Sequence, residues 1–153
     1  MTEMRLQRAL ARSLHRLLEN DAGARLGDDP ESVHQMRVAT RRLRSDLRTL
    51  AGLVEQSWSD PLRSELQWLG ESLGRVRDLD VQIERLRASS GELLDDISVL
   101  FEDLGRRHME ARDALRHDLA STRYKGLLDS LIDAVAAPAF AAPSQAPCED
   151  VLP

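Results

Sequence analysis

The chain has 153 residues, a net charge of −5 and one cysteine, Cys148. That length suffices for a single domain with its own core. A lone cysteine excludes a disulfide framework, and no run of about 18 apolar residues offers a membrane span. Arg5, Arg8, Arg12 and Arg16 interrupt any apolar N-terminal stretch, so no secretory signal peptide is expected and a cytoplasmic location is the default.

Taken in chain order, the pattern predicts helices only. The first runs from about Glu3 to Asn20 on Leu6, Leu10, Leu14 and Leu17, with Gly23 and Gly27 read as breakers. The second opens on Asp29 as N-cap, with Pro30 at the first helical position and Glu31 in the first turn, and runs to about Ala51. Asp60 and Pro61 mark the start of a third, which ends near Ala88. A fourth spans about Glu92 to Ala120, and a short fifth about Tyr124 to Ala136. The expected architecture is all-α: an antiparallel bundle of four long helices plus a short fifth, over residues 1–137. Residues 138–153 carry four of the six prolines and read as a Pro/Ala-rich tail or linker.

Charge is unevenly spread. Residues 1–48 hold ten arginines against seven acids, so the net −5 comes from the remainder; Lys125 is the only lysine. At about 100° per residue, Val33, Met36, Thr40, Leu43, Leu47 and Leu50 form the core face of the second helix. His34, Arg37, Arg41, Arg44 and Arg48 form a second stripe about 100° away, bordering the core rather than opposing it. Arg42 projects to the other side, near Asp46, and reads as an ordinary i,i+4 pair. Neighbouring like charges repel, so either a bound anion or acids from another helix must balance the stripe. His34 begins it near a helix N-terminus, where the dipole also favours anions. Its spacing to His15, His108 and His117 gives no paired metal ligands, and no metal or cofactor is expected.

On the third helix Leu62, Leu66, Leu69, Leu73, Val76 and Ile83 define the core face, and Asp80 falls on it. A buried carboxylate must be paired, and the arginine stripe is the expected source. Arg77 lies on the shoulder of that face, on the side of Gly70 and Gly74. Two glycines inside a helix cost about 1 kcal/mol each relative to Ala; close helix packing is the favoured explanation, a closely approaching ligand the other. Asp78 is expected to point into solvent.

Two segments carry a resemblance. Val33-His34-Gln35-Met36-Arg37-Val38-Ala39-Thr40-Arg41-Arg42-Leu43-Arg44 resembles the first motif of the CHAD family, the conserved histidine α-helical domain. Trp68-Leu69-Gly70 through Gly74-Arg75-Val76-Arg77-Asp78-Leu79-Asp80-Val81 is similar to its second, and Arg123-Tyr124-Lys125-Gly126-Leu127-Leu128 to a weaker third. The resemblance implies a non-enzymatic helical domain that binds inorganic polyphosphate and is found on polyphosphate granules. By this carry-over His34, Arg37, Arg41, Arg44, Arg48 and Arg77 are phosphate-groove residues, Asp80 a structural ion-pair partner, and Arg123 and Lys125 additional candidates. Family members have two related helical halves. Only one His-x-x-Arg-x-x-x-Arg-Arg-Leu-Arg segment is present, so the chain resembles the N-terminal half, which suggests a homodimer or pairing with a missing C-terminal half.

Two other functions are weighed against this one. A nucleic-acid binder would use the same stripe, but the chain is acidic overall and offers few aromatic groups for base stacking. A helical scaffold accompanying a phosphate-metabolising enzyme would satisfy the stripe with salt bridges. An enzyme is not expected: there is no phosphate-binding glycine loop, no metal-spaced carboxylate cluster and no His-Asp dyad in the sequence.

Overall fold

The structure, a computed structural model, describes residues 2–89 and 94–141. Five helices follow one another: α1 (Thr2–Leu26), α2 (Pro30–Thr49), α3 (Gln56–Ser89), α4 (Leu94–Leu119) and α5 (Thr122–Ala136). α1 packs on α2, α2 on α3 and α3 on α4, as short connections dictate, and α5 closes against α1, α3 and α4. Among the described residues no helix is long and apolar enough to cross a membrane.

The apolar stripes meet in one core. Leu6, Leu10, Leu14 and Leu17 of α1, Val33, Met36, Leu43 and Leu47 of α2, and Leu62, Leu66, Leu69, Leu73 and Val76 of α3 are all buried, and Leu50 packs against them. Ile83 is only half-buried. Leu115, Leu119, Tyr124, Leu127 and Leu131 fill the side closed by α4 and α5.

Three boundaries differ from the sequence expectation. α1 continues through Gly23, and only Gly27, at φ 73°, ends it. Outside contacts hold this last stretch. Arg25 Nε donates to Asp21 Oδ2 (2.7 Å), Tyr124 Oη donates to Asp21 Oδ1 (2.8 Å), and Arg112 and Arg116 of α4 donate to the carbonyls of Leu26 and Arg25. Burial and the Asp21 bond push the Tyr124 phenol well above its usual pKa, so it remains a donor. Gly23 serves close approach instead of termination, because a side chain there would run into Ser32 of α2. α2 begins as expected, with Asp29 Oδ1 accepting from the Glu31 amide (2.9 Å).

α3 starts at Gln56, a turn before the Asp60-Pro61 signal, and Pro61 lies inside it. Tertiary packing overrides the local signature here: Ser59 is fully buried and Trp58 packs on the core, so the extra turn is covered on its inner side. The third difference concerns the tail. Residues 139–141 do not run free. The Glu55 amide donates to Ala139 O (3.0 Å) and the Ala141 amide to Leu53 O (3.0 Å), bridging Val54 to Phe140, which packs on the core. Residues 142–153, with Cys148 and the last three prolines, lie outside the described residues.

Candidate functional site

The α2 stripe opens on a groove between α2 and α3. Arg37, Thr40, Arg41 and Arg44 form one wall; Gln67, Gly70, Glu71, Gly74, Arg75 and Asp78 form the other, around a cavity of about 500 Å3. A second hollow of about 360 Å3 shares Arg41 and Arg44 and adds Ser45, Arg48 and Arg63. The two form one trough along α2. From Arg37 to Arg48 it runs about 16 Å, from the helical rise of 1.5 Å per residue.

This geometry follows from the phase of the stripe. Because the arginines sit beside the apolar face, packing that face on α3 leaves them at the seam. The glycines of α3 widen the seam by withholding side chains. Thr40, fully buried, lies over Gly70, and its hydroxyl donates back to Met36 O (2.8 Å). The Arg37 guanidinium lies across Gly74.

Few acids answer this charge. Arg37 Nη1 is 3.8 Å from Asp78, whose side chain is 68% exposed, a contact of the kind that contributes at most about 1 kcal/mol. Arg44 reaches only the amide oxygen of Gln67 (3.4 Å), whose nitrogen donates to Glu71 Oε1 (3.0 Å). Arg63 pairs with Asp60 at 3.3 Å. Among the described residues, Arg41, Arg48 and Arg75 make no ion pair with any carboxylate. The trough is therefore a row of guanidinium groups with surplus donors, which suits an extended multi-anion.

Not every expected residue joins it. Arg37, Arg41, Arg44 and Arg48 line the trough. His34 and Arg77 are half-buried and stand outside its lining. Arg123 and Lys125 lie elsewhere. α5 packs on the far side of α3, where Arg123 Nε and Nη2 donate to both Glu65 oxygens (2.7 and 3.0 Å) and the guanidinium stacks 4.2 Å over Trp68. The hydrogen bonds from Arg123 hold the Glu65 carboxyl below its usual pKa. Lys125 is exposed on α5. The third motif thus closes the bundle: its Tyr124 is in the core and its Arg123 ties α5 to α3.

The Asp80 expectation needs a larger correction. Its side chain is 10% exposed, as its face implied, but its partner is His108 of α4, at 2.6 Å, and no arginine, so the fold forms a His-Asp pair that was not expected from the sequence. The register explains this. Arg48 shares a hollow with Arg63, Arg44 meets Gln67, Thr40 meets Gly70 and Arg37 meets Gly74. Continued, that antiparallel course brings Asp80 level with the first residues of α2, below the arginines, where α4 supplies the neighbour. Asp80 Oδ2 is buried without a hydrogen-bond partner among the described residues. Asp78 is exposed, as expected, and stands on the trough rim 3.8 Å from Arg37.

Arg42 is not the simple i,i+4 partner of Asp46 that the spacing suggested. It lines a separate cleft of about 350 Å3 between α1 and α2, with Arg12, Ser13, Arg16 and Asp46. Burial raises the pKa of the Asp46 carboxyl, and the charges of Arg42 and Arg12 pull it partly back. Among the described residues no group of three or more His, Cys, Asp or Glu side chains is placed to hold a metal ion.

Arg63 and Arg75 were missed in the sequence. A signal for the opposing wall was present: Arg63, Gln67, Gly70, Gly74 and Asp78 recur at three- and four-residue steps along α3.

Two curated relatives, the uncharacterized proteins Rv2226 of Mycobacterium tuberculosis strain H37Rv and MT2285 of strain CDC 1551, are each 32% identical over 135 residues, 82% of this chain. The chain spans only about a quarter of their length, 26%. Among solved structures, PptA from Streptomyces chartreusis superposes with a TM-score of 0.76 at 19% identity, over 93% of this chain and 52% of PptA, a likeness of fold. The CHAD domain family model matches residues 8–153, including the segment read as a tail. With that match across nearly its whole length, the chain belongs to the CHAD domain family.

Proposed function

We propose that the chain is a non-catalytic binding module for linear inorganic polyphosphate, held in the α2–α3 trough. The observation that carries this reading is the unbalanced row of Arg37, Arg41, Arg44 and Arg48, supplemented by Arg63 and Arg75, along two adjoining hollows that share Arg41 and Arg44. Neighbouring stripe residues are about 5–6 Å apart, so a flexible chain with one charge per unit meets several guanidinium groups at once. Family membership supports the same reading, and location at polyphosphate granules follows from it as a further expectation. The aromatic content of the site favours polyphosphate over single-stranded nucleic acid. Trp58 borders a different hollow and Trp68 stacks under Arg123, so no aromatic ring lines the trough for base stacking.

The test is calorimetric titration with orthophosphate, short polyphosphates and long polyphosphates across a salt series. Affinity should be very weak for orthophosphate and grow until the ligand spans the trough, and it should fall steeply with salt as counterions are released. Equal affinity per phosphate at all lengths would remove the reading. Pairing with a second copy or with a further helical half is a separate proposal. Val99, Leu100 and Met109 are exposed on α4, but at about 100° per residue they spread over about 180° of the helix, so they make no single docking stripe. Sedimentation equilibrium decides it, with a monomer throughout the micromolar range against homodimerisation.

A further inference from the structure

Gly74 is fully enclosed in the middle of a 34-residue helix, where glycine costs about 1 kcal/mol relative to alanine. The usual reason for tolerating that cost is close approach of another backbone, and here it does not apply. The heavy atoms that a Cβ at position 74 would meet are all from the Arg37 guanidinium, Nη1 well inside van der Waals contact and Cζ at 3.4 Å. One turn earlier on the same face, a Cβ at Gly70 would meet only Thr40 Cγ2, at 3.7 Å, an ordinary contact. The two glycines look alike in sequence and differ in what lies over them.

We propose that Gly74 is a positioning residue for the trough: its bare Cα is the seat on which Arg37 rests, and the seat aims the Arg37 guanidinium at the ligand. This rests on the trough being the polyanion site. The other hold on Arg37 is the exposed Asp78 at 3.8 Å, too weak to fix a side chain alone. A methyl group at position 74 would displace only the far end of a flexible side chain. The backbone would stay in place and the helix would gain alanine's propensity. Gly74→Ala therefore uncouples stability from binding: the protein melts no lower, and the arginine is displaced.

The experiment compares wild type, Gly105→Ala, Gly74→Ala, Arg37→Ala and the Gly74→Ala/Arg37→Ala double variant. Thermal melting, the Arg37 Hε–Nε NMR resonance and affinity for polyphosphate of defined length at low salt are measured for each. Gly74→Ala should hold or raise Tm, shift the Arg37 resonance and weaken binding about tenfold, the size of one lost charge-assisted hydrogen bond. The double variant should bind no worse than Arg37→Ala, because both changes remove one interaction. Gly105→Ala, on α4 where an added Cβ meets nothing within 4 Å, should bind as wild type. If Gly74→Ala lowers Tm in the wild-type and the Arg37→Ala backgrounds alike, the added methyl meets more than the guanidinium and the inference falls. An unmoved Arg37 resonance, or a binding loss that adds to that of Arg37→Ala, overturns the inference. If wild type binds no polyphosphate, the functional reading falls while the resonance still decides whether Gly74 seats Arg37.

Discussion

α2 has a cationic hollow on each side, and the two differ in where their acids sit. Toward α3, Arg37, Arg41, Arg44 and Arg48 form a row whose nearest acids, Asp78 and Glu71, are exposed on the opposite wall. Toward α1, Arg12, Arg16 and Arg42 surround Asp46, which is half-buried among them. The first hollow continues along the helix into a second, whereas the other is bounded by six residues and carries its own counter-charge. Counting arginines favours the α3 side, six against three, without saying which ligand suits it. What separates them is the uninterrupted row and the length over which it runs, so a linear ligand should distinguish faces that a small anion would not.

The largest effect should come from removing two neighbours in the row. Arg41→Ala/Arg44→Ala should lower polyphosphate affinity by two orders of magnitude or more, taking about 1.5–3 kcal/mol per charge-assisted contact. Arg12→Ala/Arg16→Ala on the other side should stay within a fewfold by the same titration. Similar losses on both sides would show that general positive charge is being measured.

Next in size is the stability effect of the Asp80–His108 contact, which sharpens the comparison because it lies in neither hollow. Asp80→Ala removes a largely buried hydrogen bond and should cost about 1.5–3 kcal/mol of folding stability by denaturant titration. Well below the melting temperature, polyphosphate affinity should hardly change. A matching loss of affinity would mean that Asp80 acts on the groove after all.

How much of this was legible in the sequence divides along similar lines. Helical phase is a local property, so the core face of α2, its arginine stripe and the inward face of Asp80 could all be read at 100° per residue. Which element covers a given face is not local. Asp80 met His108 because the register of α2 on α3 sets residue 80 opposite the start of α2, beyond the arginines, and Arg123 met Glu65 and Trp68 because α5 lies behind α3. The early start of α3 was hidden for a related reason: Asp60-Pro61 is a sound local start signal, overruled by the burial of Ser59. Gly70 and Gly74 could not be told apart without knowing that a methyl group lies over one and a guanidinium over the other.

Two smaller effects involve pH. The folded protein holds Glu65 below its usual pKa through Arg123, so this contact stabilises above the ordinary glutamate range and is lost as pH falls through the lowered value. Arg123→Ala should flatten the acid limb of the stability curve slightly and leave polyphosphate binding at neutral pH unchanged. Asp46 has the opposite sign. Its folded pKa is raised by burial, so its contribution is fully present below the unfolded value and fades as pH rises through the raised one. Asp46→Asn should change stability at neutral pH by no more than about 0.5 kcal/mol, while making the α1 side more cationic. If it created a second polyphosphate site as strong as the first, the distinction drawn between the two hollows would fail.

The most direct test takes one residue from each side of the same helical turn. Arg41 and Arg42 are neighbours in sequence and both exposed, yet Arg41 lines the α3 trough and Arg42 the α1 cleft. Each is replaced by alanine, and affinity for a long polyphosphate is measured by titration at low salt. Arg41→Ala should weaken binding at least tenfold, with Arg42→Ala within about threefold of wild type. Equal losses would contradict the assignment of the ligand to the α2–α3 trough.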